Sequence, residues 1–368
     1  MHFTRENHIL VEIRLGMRAV LHFGLACVFV FFPSALLPAS AISDRQPMDE
    51  ALLWVRSSPH HLAQYDYTMT ARVRLVFFWV GKDDVGGGYI RRGSSAEDPH
   101  QEFFQVLFGS DPEKAPRAIN RWGAGTEVSW HKNLPAGPEY QDVTASAFFG
   151  FMKSSQGKSA GEMQAELQRE KQSGQHSFTG ILSRVEPSRA LSLVVPLQSD
   201  TDFNLHDYDR AEPLMLERLK DSSQPLRALE DSSRCPRAAE FLATVAELLD
   251  AAVAGQSAPL SRCYVYDAQE NTLTLEKVTL VPSLPVTLHG PKNAVLLSTT
   301  HKDLLQMDFV SAHKLTGKKV NFSVFAGTQG ALRGVPVQIC YQPNWWFQVV
   351  LNLLPDKASA RDSAVAFR

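Results

Sequence analysis

Two stretches of this chain carry residue types at spacings that could do chemistry. In QGKSAGEMQ, Gly157, Ser159 and Gly161 form a G-x-S-x-G. In hydrolases that pattern turns sharply from strand to helix and presents the serine to a histidine base. A helix-forming segment follows Ser159, and His289, His301 and His313 come later in the chain. The preceding KSSQ lacks strand character, however, and Ser159 with Glu162 also makes a helix capping box. That structural role takes precedence over a nucleophile.

The second stretch is SDTDFNLHDYD, which places Asp200, Asp202, Asn204, Asp207 and Asp209 close together. Calcium takes about six to eight oxygen ligands, and acids at alternating loop positions converge on such an ion. The helix-loop-helix calcium pattern fails at its glycine, here Leu205, and at its last acid, here Ala211. A solvated acidic loop is the plainer reading, and calcium is the only cofactor the chain suggests. No Cys or His pair has zinc spacing.

A third stretch, FFWVGKDDVGGGYIRRG, has two readings. Asp and Gly are turn residues, so GKDDVGG reads first as a hairpin connection. Otherwise Gly86 to Gly88 let backbone approach a ligand while Arg91 or Arg92 grips an anionic group. No phosphate-loop pattern is present.

The elements that position these residues are mostly strands. With 368 residues, 44% hydrophobic and 21% charged, the chain is long enough for a large core. A short helix over PMDEALLWVRS precedes a β-rich block whose first strand, TMTARVRLVFFWV, alternates Ala71, Val73, Leu75, Phe77 and Trp79 on one face. A polar, helix-bearing middle follows and ends in PRAAEFLATVAELLDAAVAG, an amphipathic helix expected to dock on a sheet. From Arg262 the pattern is strand after strand. Adjacent aromatics such as Phe103-Phe104 and Trp345-Trp346 must face opposite sides, so both sheet faces need cover.

The expected fold is mainly β with α-helical insertions, an antiparallel barrel or sandwich with helices packed outside. Its segments are a leader (1–41), a helix and β-rich block (42–143), a mixed middle (144–260), a C-terminal antiparallel block (261–355) and a polar tail (356–368).

Arg14 and Arg18, the apolar AVLHFGLACVFVFFPSALL and the small-residue PASA have the order of a secretory signal, with cleavage before Ile42. An uncleaved membrane anchor is the rival reading of this run. Export permits disulfides. Cys235 and Cys263 flank one helix and could bridge, which leaves Cys340 as a buried thiol in VPVQICY. A net charge of -2 without a long basic run excludes nucleic acid as a natural partner.

The sequence therefore favours an exported, periplasmic or envelope-associated binding or structural protein over an enzyme. Its partner would be an apolar or amphipathic small molecule or an envelope component, with Trp79, Trp122, Arg91, Arg92 and Trp346 as contact residues. In the C-terminal hairpin, Trp345 would share the core face with Phe347, Val349, Leu351 and Leu353, and Trp346 a wetter face with Gln348, Val350 and Asn352. A secreted serine hydrolase using Ser159 and an outer-membrane β-barrel component are the alternatives.

Overall fold

The computed structural model describes residues 45–57, 62–75, 78–94, 101–115, 120–132, 141–150, 176–187, 189–199, 203–230, 239–290, 294–344 and 347–355, with Gln168, Gln172, Cys235 and Lys292 singly. The leader, Ser159, Asp200, Asp202, Trp345, Trp346 and the tail lie outside the described residues.

Fourteen strands form one antiparallel sheet: β1 (Ala63–Leu75), β2 (Phe78–Ser94), β3 (Gln101–Ser110), β4 (Trp122–Lys132), β5 (Gln141–Gly150), β6 (His176–Glu186), β7 (Arg189–Ser199), β8 (Arg227–Glu230), β9 (Leu260–Tyr266), β10 (Gln269–His289), β11 (Val295–His313), β12 (Lys319–Gly327), β13 (Pro336–Asn344) and β14 (Phe347–Leu353). The chain starts at the centre, meanders outward from β1 to β8, restarts at the opposite edge with β9 and meanders back until β14 pairs with β1. The mixed middle therefore belongs to the same sheet as the two β-rich blocks, because it contributes β5 to β8.

Among the described residues, the longer helices beside the strands are α1 (Gln46–Arg56), α2 (Tyr208–Lys220) and α3 (Phe241–Val253). α1 buries Met48, Ala51, Leu52 and Val55, and α2 buries Tyr208, Ala211, Met215, Leu216 and Leu219. Both stripes join one core with Leu107, Ala124, Phe149, Leu182 and Leu193 of β3 to β7. Arg184 fixes α1 to this face by bonds to Glu50 (2.5 Å) and to the Pro47 carbonyl (3.2 Å), its guanidinium lying over the Trp54 ring.

α3 packs on the other face. It meets Glu127 of β4 and Arg92 of β2, and it shares a core with Tyr264, Leu273, Met307 and Phe309 of β9 to β11. One helix can touch strands so far apart in sheet order only if the sheet curls round it, so this face is concave. The ladder is not closed, because β8 and β9 are both edges. The edges are nevertheless brought together at one end. Arg227 and Ser192 of β8 and β7 bond to Asp267 in the β9–β10 turn, the Val265 amide donates to the Ala239 carbonyl, and Cys235 is joined to Cys263.

The stretch FFWVGKDDVGGGYIRRG is not the hairpin turn. β1 and β2 reverse between Leu75 and Phe78, where neither Gly nor Pro marks the turn, so Trp79 lies opposite Arg74 and leaves the face of Val73. Asp83 to Val85 form a bulge, since Met69 pairs with Gly86 while Ala71 already pairs with Lys82, and Asp84 has φ 52°. The acids are fixed there: Asp83 accepts from Thr70 Oγ1 (2.9 Å) and the His289 amide (2.8 Å), and Asp84 from Lys114 Nζ (3.1 Å).

The glycines then let β1 and β3 close in on β2. A Cβ at Gly88, φ +153°, would lie 1.7 Å from the Leu107 carbonyl oxygen. Gly88→Ala should therefore cost about 3 kcal/mol or more, combining a strained φ with a clash between backbones. A urea midpoint equal to wild type would show that the strands can move apart freely.

Candidate functional site

The concave face carries a polar row that crosses five strands. Glu127 pairs with Ser146, Ser146 with Ser183, Ser183 with Ser192 and Ser192 with Arg227, so these residues of β4 to β8 share one line and one face. At roughly 4.8 Å per strand the row spans about 19 Å. Strand alternation produces it, since the flanking Val128, Ala145, Ala147, Leu182, Leu191 and Leu193 point the other way into buried core.

Glu127 is fully buried and its carboxylate caps α3, accepting from the Leu242 amide at 2.6 Å and the Ala243 amide at 2.8 Å. This matches an anion to the positive end of a helix. Glu240, the residue before α3, is also fully buried. Neither of its carboxylate oxygens makes a hydrogen bond of ordinary geometry, and the same holds for Ser146 Oγ and Ser183 Oγ.

Burial pushes both acids up. Glu240 rises well above the usual carboxylate range, helped by the charge on Glu127 and opposed in part by the nearby Ser146 hydroxyl. The two amides oppose the rise at Glu127. Both carboxyls therefore hold a proton more tightly than a free glutamate does, and the Leu242 and Ala243 amides favour the charged form at Glu127. Asp267 is likewise raised by burial, against the pull of Arg227 and Ser192.

Two ion pairs pin the remainder of α3. Arg92 grips Asp250 with two bonds (2.7 and 3.2 Å) while lying over the Phe104 ring, and Arg262 bonds Glu247 at 2.7 Å.

Beside the polar row the concave face is apolar. Tyr67, Met69, Phe108, Val337, Phe347, Val349, Leu351 and Leu353 are buried there. Their neighbours Ala71 and Val73 of β1 and Ile339 and Tyr341 of β13 are only half-buried. Phe322 of β12, opposite Tyr341, is half-buried as well. Leu242 of α3 packs against this wall while its own amide meets Glu127, so apolar wall and polar row adjoin.

The residues singled out in the sequence fall in different places. Trp79 is part-exposed on the β1–β2 ribbon. Trp122 is buried on the convex face, its indole N–H donating to the Phe203 carbonyl at 2.9 Å, and it is sealed under α2 by the rings of Phe178 and Tyr208. A ligand-contact role for Trp122 is corrected accordingly. Arg91 and Arg92, as strand neighbours, face opposite sides; Arg91 is spent on Gln64, Gln105 and the Tyr89 ring, and Arg92 on Asp250. The Arg92 guanidinium is thus matched by a carboxylate, and Arg91 Nε and Nη1 by the side-chain oxygens of Gln64 and Gln105.

Of the acidic cluster, Asn204 and Asp207 form a capping box at the Leu205–Asp207 turn that starts α2, Asp207 pairs with Arg210, and Asp209 is exposed in the first turn of the helix. This segment is a helix entry and not a loop, because Tyr208, Ala211, Met215 and Leu219 supply a buried stripe despite Pro213. Among the described residues no group of three His, Cys, Asp or Glu could hold a metal ion.

His289, His301 and His313 are spread along the β10–β11 hairpin, with His289 near its tip and His313 at its base. Cys340 is a free, half-buried thiol, pushed up to about 11 by burial. In the C-terminal hairpin, Phe347, Val349, Leu351 and Leu353 do share the core face. Val350 and Asn352 opposite them are also buried, so that side is packed and not a wet groove.

Glu127, Ser146, Ser183, Glu240 and Asp267 escaped the sequence reading. One signal was present: Glu127 is the lone acid of WGAGTEVSW, and Glu240 stands directly before an apolar helix.

No family model and no curated protein matches the chain. Among solved structures it is similar to the crystal structure of a beta-barrel-like protein of domain of unknown function DUF1849 from Brucella abortus, with a TM-score of 0.38 and 9% identity over 81% of this chain and 98% of that one. A likeness that distant transfers no function.

Proposed function

We propose that the protein is an exported, envelope-associated module that binds an apolar or amphipathic ligand against the concave face of its sheet. The observation that carries this reading is the half-covered wall of Ala71, Val73, Phe322, Ile339 and Tyr341. Inward-facing apolar side chains are ordinarily sealed, and an apolar surface left open beside polar groups is the usual layout of a small-molecule site. The adjoining row of Glu127, Ser146 and Ser183 suits a molecule with an apolar body and a polar end. The Cys235–Cys263 bridge fits an oxidising compartment, as does the order of charged, apolar and small residues in the leader.

The rival readings have less support. A serine hydrolase needs a histidine held at the nucleophile, and His289, His301 and His313 are spread from the tip to the base of the β10–β11 hairpin, while Ser159 lies outside the described residues. A spanning β-barrel needs a closed ladder and a lipid-facing band, whereas this sheet has two edges and α1 and α2 lie on its convex side.

Protein taken from the envelope fraction should begin near Ile42 and carry an apolar molecule in native mass spectrometry. Tyr341→Ala should weaken binding of N-phenylnaphthylamine by about tenfold, the loss of roughly 1.4 kcal/mol of contact, with little change in thermal midpoint. A chain that carries nothing and binds the probe equally with and without Tyr341 would sink this reading.

A further inference from the structure

We propose that the β1–β2 ribbon docks the protein on an anionic lipid surface. This does not require the interior to hold a ligand. β2 pairs with β3 only from Gly86 onward, and β1 pairs with β14 only as far as Val73, so the segment from Phe78 to Lys82 has β1 as its sole strand neighbour. Val73, the last β1 residue paired to β14, lies opposite Val80, so Arg74, Leu75, Phe78 and Trp79 stand beyond the sheet, and at about 3.3 Å per residue Phe78 projects some 7 Å past that last pair.

Phe78, Trp79 and Val80 are 60%, 38% and 46% exposed, although as consecutive strand residues they face alternate sides. An apolar run exposed on both faces is not the rim of a core. It is shaped to enter an apolar medium from its tip.

The charges are ordered along the same axis. Arg74 lies opposite Trp79, Arg72 is two pairs further back, and Lys82 lies at the root opposite Ala71. Arg74 and Lys82 are exposed. The nearby acids are turned inward and paired: Asp83, 18% exposed in its side chain, bonds Thr70 and the His289 amide, and Asp84 pairs with Lys114. Exposed aromatic residues with Arg74 beside Trp79 and Arg72 and Lys82 further back match a bilayer interface, where aromatic rings occupy the headgroup level and Lys and Arg meet anionic headgroups. A second copy of this chain would bury the apolar residues equally well but offers no anionic partner for Arg74 and Lys82, which lie among and behind them.

The test is hydrogen exchange of the backbone across 78–82 in the purified chain, alone, with phosphatidylcholine vesicles, and with phosphatidylcholine–phosphatidylglycerol vesicles. A local readout is needed because the apolar leader, if retained, binds vesicles by itself. Exchange across the ribbon should slow about tenfold with the anionic vesicles and much less with the neutral ones. The triple substitution Phe78→Ser, Trp79→Ser and Val80→Ser should abolish this in vesicle flotation of leader-free protein, while Arg74→Glu with Lys82→Glu should remove the preference for anionic lipid. All these side chains are exposed, so thermal midpoints should stay near wild type and confirm that the variants fold. Ribbon exchange unchanged by either vesicle, slowed equally by both, or slowed by raising protein concentration alone would overturn the proposal, the last by identifying a second copy as the occupant.

Discussion

Glu240→Gln should stabilise the protein relative to wild type far more at pH 8 than at pH 5. A carboxyl whose folded pKa lies above its unfolded value, about 4.3, binds its proton more tightly in the folded state. The stability it contributes is complete below the unfolded value and is lost as pH rises toward and through the folded one. Glu240 is such a group, raised by full burial and by the charge of Glu127, with no bond of ordinary geometry to either oxygen. Wild-type stability should therefore fall by about 1.4 kcal/mol per pH unit over the window between the two values.

Glutamine keeps the shape, carries no charge, and offers an N–H₂ to the Glu127 carboxylate and the Ser146 hydroxyl, so most of that slope should vanish. Glu127→Gln is the informative contrast. It leaves the Leu242 and Ala243 amides one acceptor oxygen in place of two and should cost about 1–3 kcal/mol at pH 5, and because burial raises Glu127 too, to about 7, it should also remove part of the slope. Urea unfolding at pH 5, 6, 7 and 8 measures both. A Glu240→Gln slope equal to wild type would place the pH dependence on the other raised acids, Glu127, Asp267 and Glu212.

Such a pair is nearly invisible in sequence, for a physical reason. Alternation shows which residues share a face but not which distant element covers it, and the buried state of Glu127 is created by α3, more than a hundred residues later. The same limit governed Trp122, whose strand position was evident but whose lid, α2, was read as an acidic loop. Fold class was far more legible, because strand periodicity and paired aromatics are local signals that demand cover on both faces. The β1–β2 connection failed for the opposite reason. Its turn falls within an apolar run, while the Asp and Gly residues that resemble a turn build a bulge whose purpose, the close approach of β1 and β3, is purely tertiary.

Removing the disulfide should expose how the curled sheet is held at its open seam. Cys235 and Cys263 are separated by 28 residues, and the loop between them contains Glu240 and all of α3. Closing a loop of that length removes chain entropy from the unfolded state worth about 3–4 kcal/mol. The bridge also has a local task, since no ladder joins β8 to β9. The seam rests on Cys235–Cys263, the Val265–Ala239 backbone bond, the Asp267 contacts and a small cluster of Val185, Ala190, Cys235 and Val265. Cys235→Ala with Cys263→Ala should therefore lower stability by about 3 kcal/mol and, in hydrogen exchange, speed β8 and β9 well before the central β1–β14 pair. Alanine is the proper replacement, because Cys235 is buried among apolar neighbours and serine would add an unpaired hydroxyl. Loss of stability with uniform exchange would mean that the bridge acts only on the unfolded chain. Selective opening at the edges would show that the disulfide is what keeps an unclosed sheet wrapped around α3.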